Sequence, residues 1–169
     1  YAFIRLNIPP GSRILEIGGG HSRVLERLSS EYECWNADRF EGLGNGPTDL
    51  PNANYRIVRE FIGAFSPELP ENYFDFVFSI SVLEHLPTDN PAILTDFLND
   101  IVRIKKADAI QLHLIDHAIN TVGWQHPILP ILTEEMRRST GVDTGVSQLA
   151  HAADLYHMSE RAYNTRWLE

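Results

Sequence analysis

Residues 13–28, RILEIGGGHSRVLERL, constrain the fold more than any other stretch of the chain. A short apolar strand, RILEI, set off by the turn Pro9-Pro10-Gly11, runs into three consecutive glycines and then into a helical pattern. Glycine reaches positive φ without strain and leaves no side chain between the backbone and a ligand. Ser22 stands as an N-cap, and Val24, Leu25 and Leu28 form the inward stripe of the helix that follows. A strand, glycine turn and helix in this order open an open parallel sheet, whose ligands sit beyond the carboxyl ends of the strands where strand order reverses.

The rest of the chain repeats the alternation. Glu33–Ala37 (ECWNA) reads as a second strand ending at Asp38, and residues 55–58 (YRIV) as a third, separated by the glycine-rich loop EGLGNGPTDLP. Phe74–Ile80 (FDFVFSI) is a fourth strand after the turn-like PELPENY. A helix is predicted from Pro91 to about Ile104, with Ile93, Leu94, Phe97, Leu98, Ile101 and Val102 at helical spacing, and residues 109–115 (AIQLHLI) form a fifth strand. This pattern predicts an α/β fold: a Rossmann-like, doubly wound, mostly parallel sheet in a three-layer α/β/α arrangement. Beyond Asp116 the pattern fades, although residues 133–140 and 159–168 read as helices. The expectation is one domain over residues 1–169, with its core at about 11–116 and an atypical helical or substrate-side extension over 117–169. A chain of this length hides roughly 70% of its unfolded surface, enough for one core without disulfides.

Composition then removes function classes. Fourteen basic against 23 acidic residues give a net charge of −9, which repels nucleic acid and anionic membrane surfaces. Apolar runs all fall short of the ~18 residues of a membrane span, and the start carries no signal-peptide pattern. The chain begins at Tyr1 without methionine, which reads as trimmed. Cys34 is the single cysteine, so no internal disulfide forms, and the expected setting is the reduced cytoplasm. Lys105 and Lys106 are the only lysines. Their placement excludes a P-loop and the Tyr-x-x-x-Lys pair of short-chain dehydrogenases, and disfavours Schiff-base chemistry. A dinucleotide fingerprint beginning at Gly18 needs Gly or Ala at position 23, where Arg23 stands.

Two motifs carry a family resemblance. RILEIGGGHSRVLERL resembles the first motif of class I S-adenosylmethionine-dependent methyltransferases, and FDFVFSISVLEHLP resembles their fourth-strand motif, in the same order and at a matching separation. The resemblance spans about residues 11–116. It implies S-adenosyl-L-methionine as cofactor, lying against Gly18, Gly19 and Gly20; this cofactor has no phosphate, so Arg23 is acceptable. Asp38, some twenty residues past Gly18, stands where a carboxylate accepts hydrogen bonds from both ribose hydroxyls. By the same resemblance Glu16 helps hold the methionine ammonium or the loop, and Glu60 stands near the adenine amino group, with Arg59-Glu60 replacing the familiar Gly-Asp pair. Ser79 and Ser81 flank the methionine moiety through backbone groups.

For the chemistry, His85 in VLEHL follows the fourth strand and is a candidate to take a proton from the acceptor, the alternative being a capping or packing histidine. Asp116 and His117 close the fifth strand at the same edge, within reach of an acceptor. With His113 and His126 they invite a metal reading, which strand alternation weakens, so no metal is expected. The loop 44–47 reads either as a lid or as a long connection, and the tail HMSERAYNTRWLE either lines the acceptor pocket or docks as a helix. The antiparallel hairpin that normally ends the family's sheet has no recognisable counterpart. The function expected is methyl transfer to a small-molecule or glycan-like acceptor, with a homodimer allowed for. Two alternatives stay open: a non-catalytic interaction module of the same fold, and a nicotinamide-dependent oxidoreductase.

Overall fold

A computed structural model describes residues 8–42, 46–87 and 89–115, together with 130, 131 and 134. Contacts separate two compact units, Tyr1–Asp116 and His117–Glu169, where the sequence reads as one domain with an atypical tail. The elements below all belong to the first unit.

The sheet consists of β1 (Arg13–Ile17), β2 (Glu33–Ala37), β3 (Arg56–Val58), β4 (Phe74–Ile80) and β5 (Lys105–Leu114). All neighbours are parallel and the order is β3-β2-β1-β4-β5. The chain therefore builds outward from β1 to β3, then crosses back to lay β4 on the other side of β1. That reversal leaves a crevice at the carboxyl ends of β1 and β4.

Helices cover both faces. Helix α1 (Arg23–Leu28) is capped as its sequence predicts, the Ser22 hydroxyl accepting the Leu25 N–H at 2.9 Å. It buries Leu25 against Ile14, Cys34, Phe76 and Phe78 on one face, with Val24, Leu28 and Leu112 packed at the margin. Helix α2 (Pro91–Ile104), capped by the Asn90 side chain on the Ala92 N–H, lies over the other face, where Phe97 meets the His113 ring.

The stripe on α2 differs from its sequence reading in one respect. Leu94, Phe97, Ile101 and Ile104 are buried, but Val102 is 67% exposed while Asp100 is fully buried. At 3.6 residues per turn, position 100 falls beside the line through Phe97, Ile101 and Ile104, and position 102 falls away from it. Asp100 has its own partners there. It accepts the N–H groups of Gly63 (2.7 Å) and Phe65 (3.1 Å) and pairs with Arg103, whose guanidinium also donates to the carbonyls of Leu69 and Ser66. This fastens the loop between β3 and β4 to α2.

Three strand bounds also move, the end of β5 by a single residue, from 115 to Leu114. β3 starts at Arg56, one residue later than predicted, and β5 starts at Lys105, four residues earlier than 109. No glycine or proline separates α2 from β5; the Lys105 N–H closes the helix on the Ile101 carbonyl while its own backbone is already extended. A register shift between Phe74 and Phe76 absorbs the slack, and Lys106 pairs with Asp75.

Candidate functional site

β1 and β2 are adjacent and in register, with Glu16 opposite Asn36 and Ile17 opposite Ala37. Their carboxyl ends deliver the glycine turn and Asp38 to the same edge. The ladder continues one step beyond the strands, the Gly18 N–H donating to the Ala37 carbonyl at 2.8 Å and the Asp38 N–H to the Val58 carbonyl at 3.0 Å.

Gly18 and Gly20 have φ of 65° and 50°, a conformation that costs an L side chain about 1–2 kcal/mol. Space reinforces this at Gly18, where a Cβ would lie 2.8 Å from Cγ2 of Val82, just past β4. The turn thus packs directly against the segment leaving the fourth strand.

Two side chains, Asn36 of β2 and Asp38 just past its end, hold the turn. Fully buried Asn36 accepts the Gly19 N–H on Oδ1 at 3.1 Å and donates from Nδ2 to the Gly20 carbonyl at 2.9 Å. Asp38 accepts the Gly20 N–H on Oδ2 at 2.8 Å and the Phe40 N–H on Oδ1 at 2.7 Å. Each of its carboxylate oxygens has used one acceptor direction and retains another.

Glu16 lies beneath Gly19, only 4% exposed, with its carboxyl carbon 2.7 Å from where a Gly19 Cβ would stand. It accepts a hydrogen bond from the Ser22 hydroxyl, and the Ser22 N–H donates to the Tyr55 hydroxyl at 3.1 Å. Burial pushes the Glu16 carboxyl up to about 7; the Ser22 hydrogen bond works against that and the Asp38 charge adds to it. Among the described residues, neither Glu16 nor Asp38 forms an ion pair with a basic side chain.

The structure therefore gathers Glu16, Gly18, Gly19, Gly20 and Asp38 into one constellation. Ser81 borders it through Val82; it has a positive φ of 53° and its N–H donates to the Leu114 carbonyl at 2.8 Å. The Ser79 side chain is fully buried and faces β5, its hydroxyl 2.7 Å from Nδ1 of His113. Burial depresses the His113 imidazole to about 4, and the Gln111 amide occupies its other nitrogen at 2.7 Å. Glu60 stands just past β3, two strands from the turn, its carboxylate accepting the N–H of Phe61 at 3.1 Å. The neighbouring Arg59 stacks over Phe40 and pairs with Asp49. His85 is the exposed last residue of a 3₁₀ turn, Leu83–His85, beyond β4, whose Leu83 is fully buried. Asp116, His117, His126, residues 43–45 of the glycine-rich loop and the tail lie outside the described residues, as does the predicted helix 133–140 except for Glu134, which is helical. Among the described residues no group of three His, Cys, Asp or Glu is placed to hold a metal.

Asn36, Tyr55 and Val82 complete the site without a motif of their own in the sequence. Asn36 carried a usable signal: alternation puts it on the same face as Asp38, a polar side chain in an otherwise apolar buried strand.

Among the described residues, two carboxyl groups and no contacting base border the turn, a set that disfavours a pyrophosphate.

No family model matches the sequence, and no curated protein matches it. Solved structures do. A TehB-like SAM-dependent methyltransferase from Corynebacterium glutamicum aligns at 20% identity and a TM-score of 0.56, over 79% of this chain and 69% of its own. A SAM-dependent methyltransferase from Aquifex aeolicus aligns at 20% identity and a TM-score of 0.55, over 75% and 68%. Phosphoethanolamine N-methyltransferase 1 of Haemonchus contortus, in complex with phosphoethanolamine and S-adenosylhomocysteine, aligns at 16% identity and a TM-score of 0.55, over 81% of this chain and 33% of its own. The chain has the class I SAM-dependent methyltransferase fold.

Proposed function

We propose that the chain is an S-adenosylmethionine-dependent methyltransferase acting on a small-molecule or glycan-like acceptor. The observation that carries the reading is the Asp38 carboxylate held against the Gly20 amide, beside a glycine turn whose surroundings are acidic. Structural neighbours of the same fold, one of them binding S-adenosylhomocysteine, support it.

When bound, S-adenosylmethionine supplies a methyl group on a sulfonium, ready for in-line displacement. The work left to the protein is positioning, which contributes about 7–11 kcal/mol where the geometry is well held. In this reading the backbone of Gly18, Gly19 and Gly20 lies against the ligand. Asp38 accepts from the two ribose hydroxyls with the acceptor directions its amide partners leave free. The buried Glu16 charge faces the ammonium end, and Ser81 brings the end of β4 alongside. Glu60 serves the adenine edge, with Ser79 as support for the β4 terminus. His85, Asp116 and His117 are the candidates to contact the acceptor or take its proton, a role worth about 10²–10⁴-fold when the acceptor must be deprotonated. We further propose a reduced cytoplasmic setting and association as a homodimer; among the described residues no helix is long and apolar enough to cross a membrane.

A thermal-shift panel tests the cofactor class. S-adenosylhomocysteine is expected to raise Tm while NAD and NADP leave it unchanged, because only a ligand bound by the native state stabilises it. Selective stabilisation by a dinucleotide overturns the reading. Formation of S-adenosylhomocysteine in the presence of small alcohols, amines and sugars then identifies the acceptor, and the non-catalytic alternative predicts binding with no turnover on any of them.

A further inference from the structure

Glu16 occupies an unusual place for a carboxyl group. It is enclosed between β1, β2 and the turn, separated from the outer side of the turn by the bare Cα of Gly19, and bonded to the neutral Ser22 hydroxyl. Nothing positive compensates it among the described residues. The groups facing it are Asn36 and Cys34 from β2, Asp38 beyond β2, Phe78 across on β4, Ser22 at the head of α1, and Tyr55 behind Ser22. Of these, Asp38 is acidic and repels an ionised Glu16. Burial lifts the Cys34 thiol to about 11 and raises the Tyr55 hydroxyl above its ordinary value, so both stay neutral through the acid and neutral range.

A buried carboxyl next to a second carboxylate, with no cation beside it, holds its proton until a cation arrives. We propose that ligand binding at the glycine turn is coupled to proton release from Glu16, the ammonium of a bound amino-acid moiety taking over the charge balance that the proton supplies in the free protein. This rests on the reading of the turn as the cradle of an adenosyl amino acid. The balance is simple: the O–H bond of the Glu16 carboxyl breaks, its electron pair remains on the carboxylate, and the proton passes to buffer. An opposite charge within about 4–6 Å of a carboxylate favours the ionised form enough to bring it back to its usual range. Because the free carboxyl titrates at about 7, the site is half protonated near neutrality and binding is weakened as the solution is acidified.

Calorimetry of the intact chain with S-adenosylhomocysteine, in phosphate and in Tris, counts the protons. About half a proton is expected to leave per ligand at pH 7, approaching one at pH 6, with Kd rising up to about tenfold per pH unit between pH 7 and 5.5. The Glu16→Gln variant keeps an acceptor for Ser22 and is expected to bind with no proton release and a flat Kd over that range. Wild-type binding with the same Kd at pH 5.5 and 7.5 and buffer-independent heats overturns the coupling and leaves the proposed function standing. A pH dependence that persists unchanged in Glu16→Gln also overturns it. Absence of S-adenosylhomocysteine binding at every pH overturns the cradle itself, and the coupling with it. Should Glu16→Gln fail to fold, the wild-type proton count in the two buffers decides alone.

Discussion

At the scale of single residues, the turn is held by a division of labour between Asn36, which grips Gly19 and Gly20 with both ends of its amide, and Asp38, which takes the N–H groups of Gly20 and Phe40. Replacing Asp38 by Ala is expected to weaken S-adenosylhomocysteine binding by about 10–100-fold, the loss of one or two hydrogen bonds to a charged acceptor, while far-UV circular dichroism stays native. Unchanged affinity removes the ribose assignment. Replacing Gly18 by Ala imposes a strained φ and drives a methyl into Val82, so a stability loss of about 1–3 kcal/mol is expected in urea. Adding Val82→Ala relieves the contact and leaves the backbone strain, which makes the recovery partial. These outcomes follow from features that differ in how plainly the sequence displays them. Three adjacent glycines and a strand-ending aspartate are legible because few other local structures require them. Asn36 was hidden inside ECWNA, where apolar neighbours dominate the pattern and an amide's two partners cannot be inferred from its own position.

Elements show the same division. β1, β2 and β4 begin and end where their apolar runs do, since turn residues bracket each of them. The entry to β5 has no such bracket, and the Lys105-Lys106 pair gives no hint that the chain passes from helix to strand without a pause. The buried acid of α2 was equally opaque: on a helix the stripe and its margin differ by one residue, and only the loop amides arriving from 35 and 37 positions away show why Asp100 is inside. Replacing Asp100 by Ala removes the carboxylate partner of Arg103, which keeps only its carbonyl acceptors, and leaves two loop N–H groups unpaired, so a loss of about 3–5 kcal/mol is expected in equilibrium unfolding. Asp100→Asn keeps an acceptor and should lose less. Equal effects of the two would mean that charge pairing dominates over amide capture.

Across the whole molecule, buried Glu16 and partly buried His113 place opposite demands on pH. The folded state lifts Glu16 to about 7, so the ligand-free protein binds that proton more tightly than the unfolded chain does and loses stability as pH rises from the ordinary carboxylate range to about 7. It depresses His113 to about 4, a contribution that is complete above the ordinary imidazole value near 6.5 and is lost as pH falls toward 4. Over pH 4.5–6.5 the two slopes oppose each other. Relative to wild type, Glu16→Gln is therefore expected to gain stability as pH rises through this window and His113→Gln to lose it, measured as urea midpoints; parallel curves for all three proteins contradict both placements. The strand order has a different consequence, one of timing. β1 lies between β2 and β4, and the Asp75 carboxylate that receives the Arg13 N–H is 62 residues further along the chain. During synthesis the first strand emerges long before its second neighbour, so the glycine turn has a floor on one side only until β4 has left the ribosome, and nascent chains halted before it are expected to be protease-sensitive and unable to retain a nucleoside.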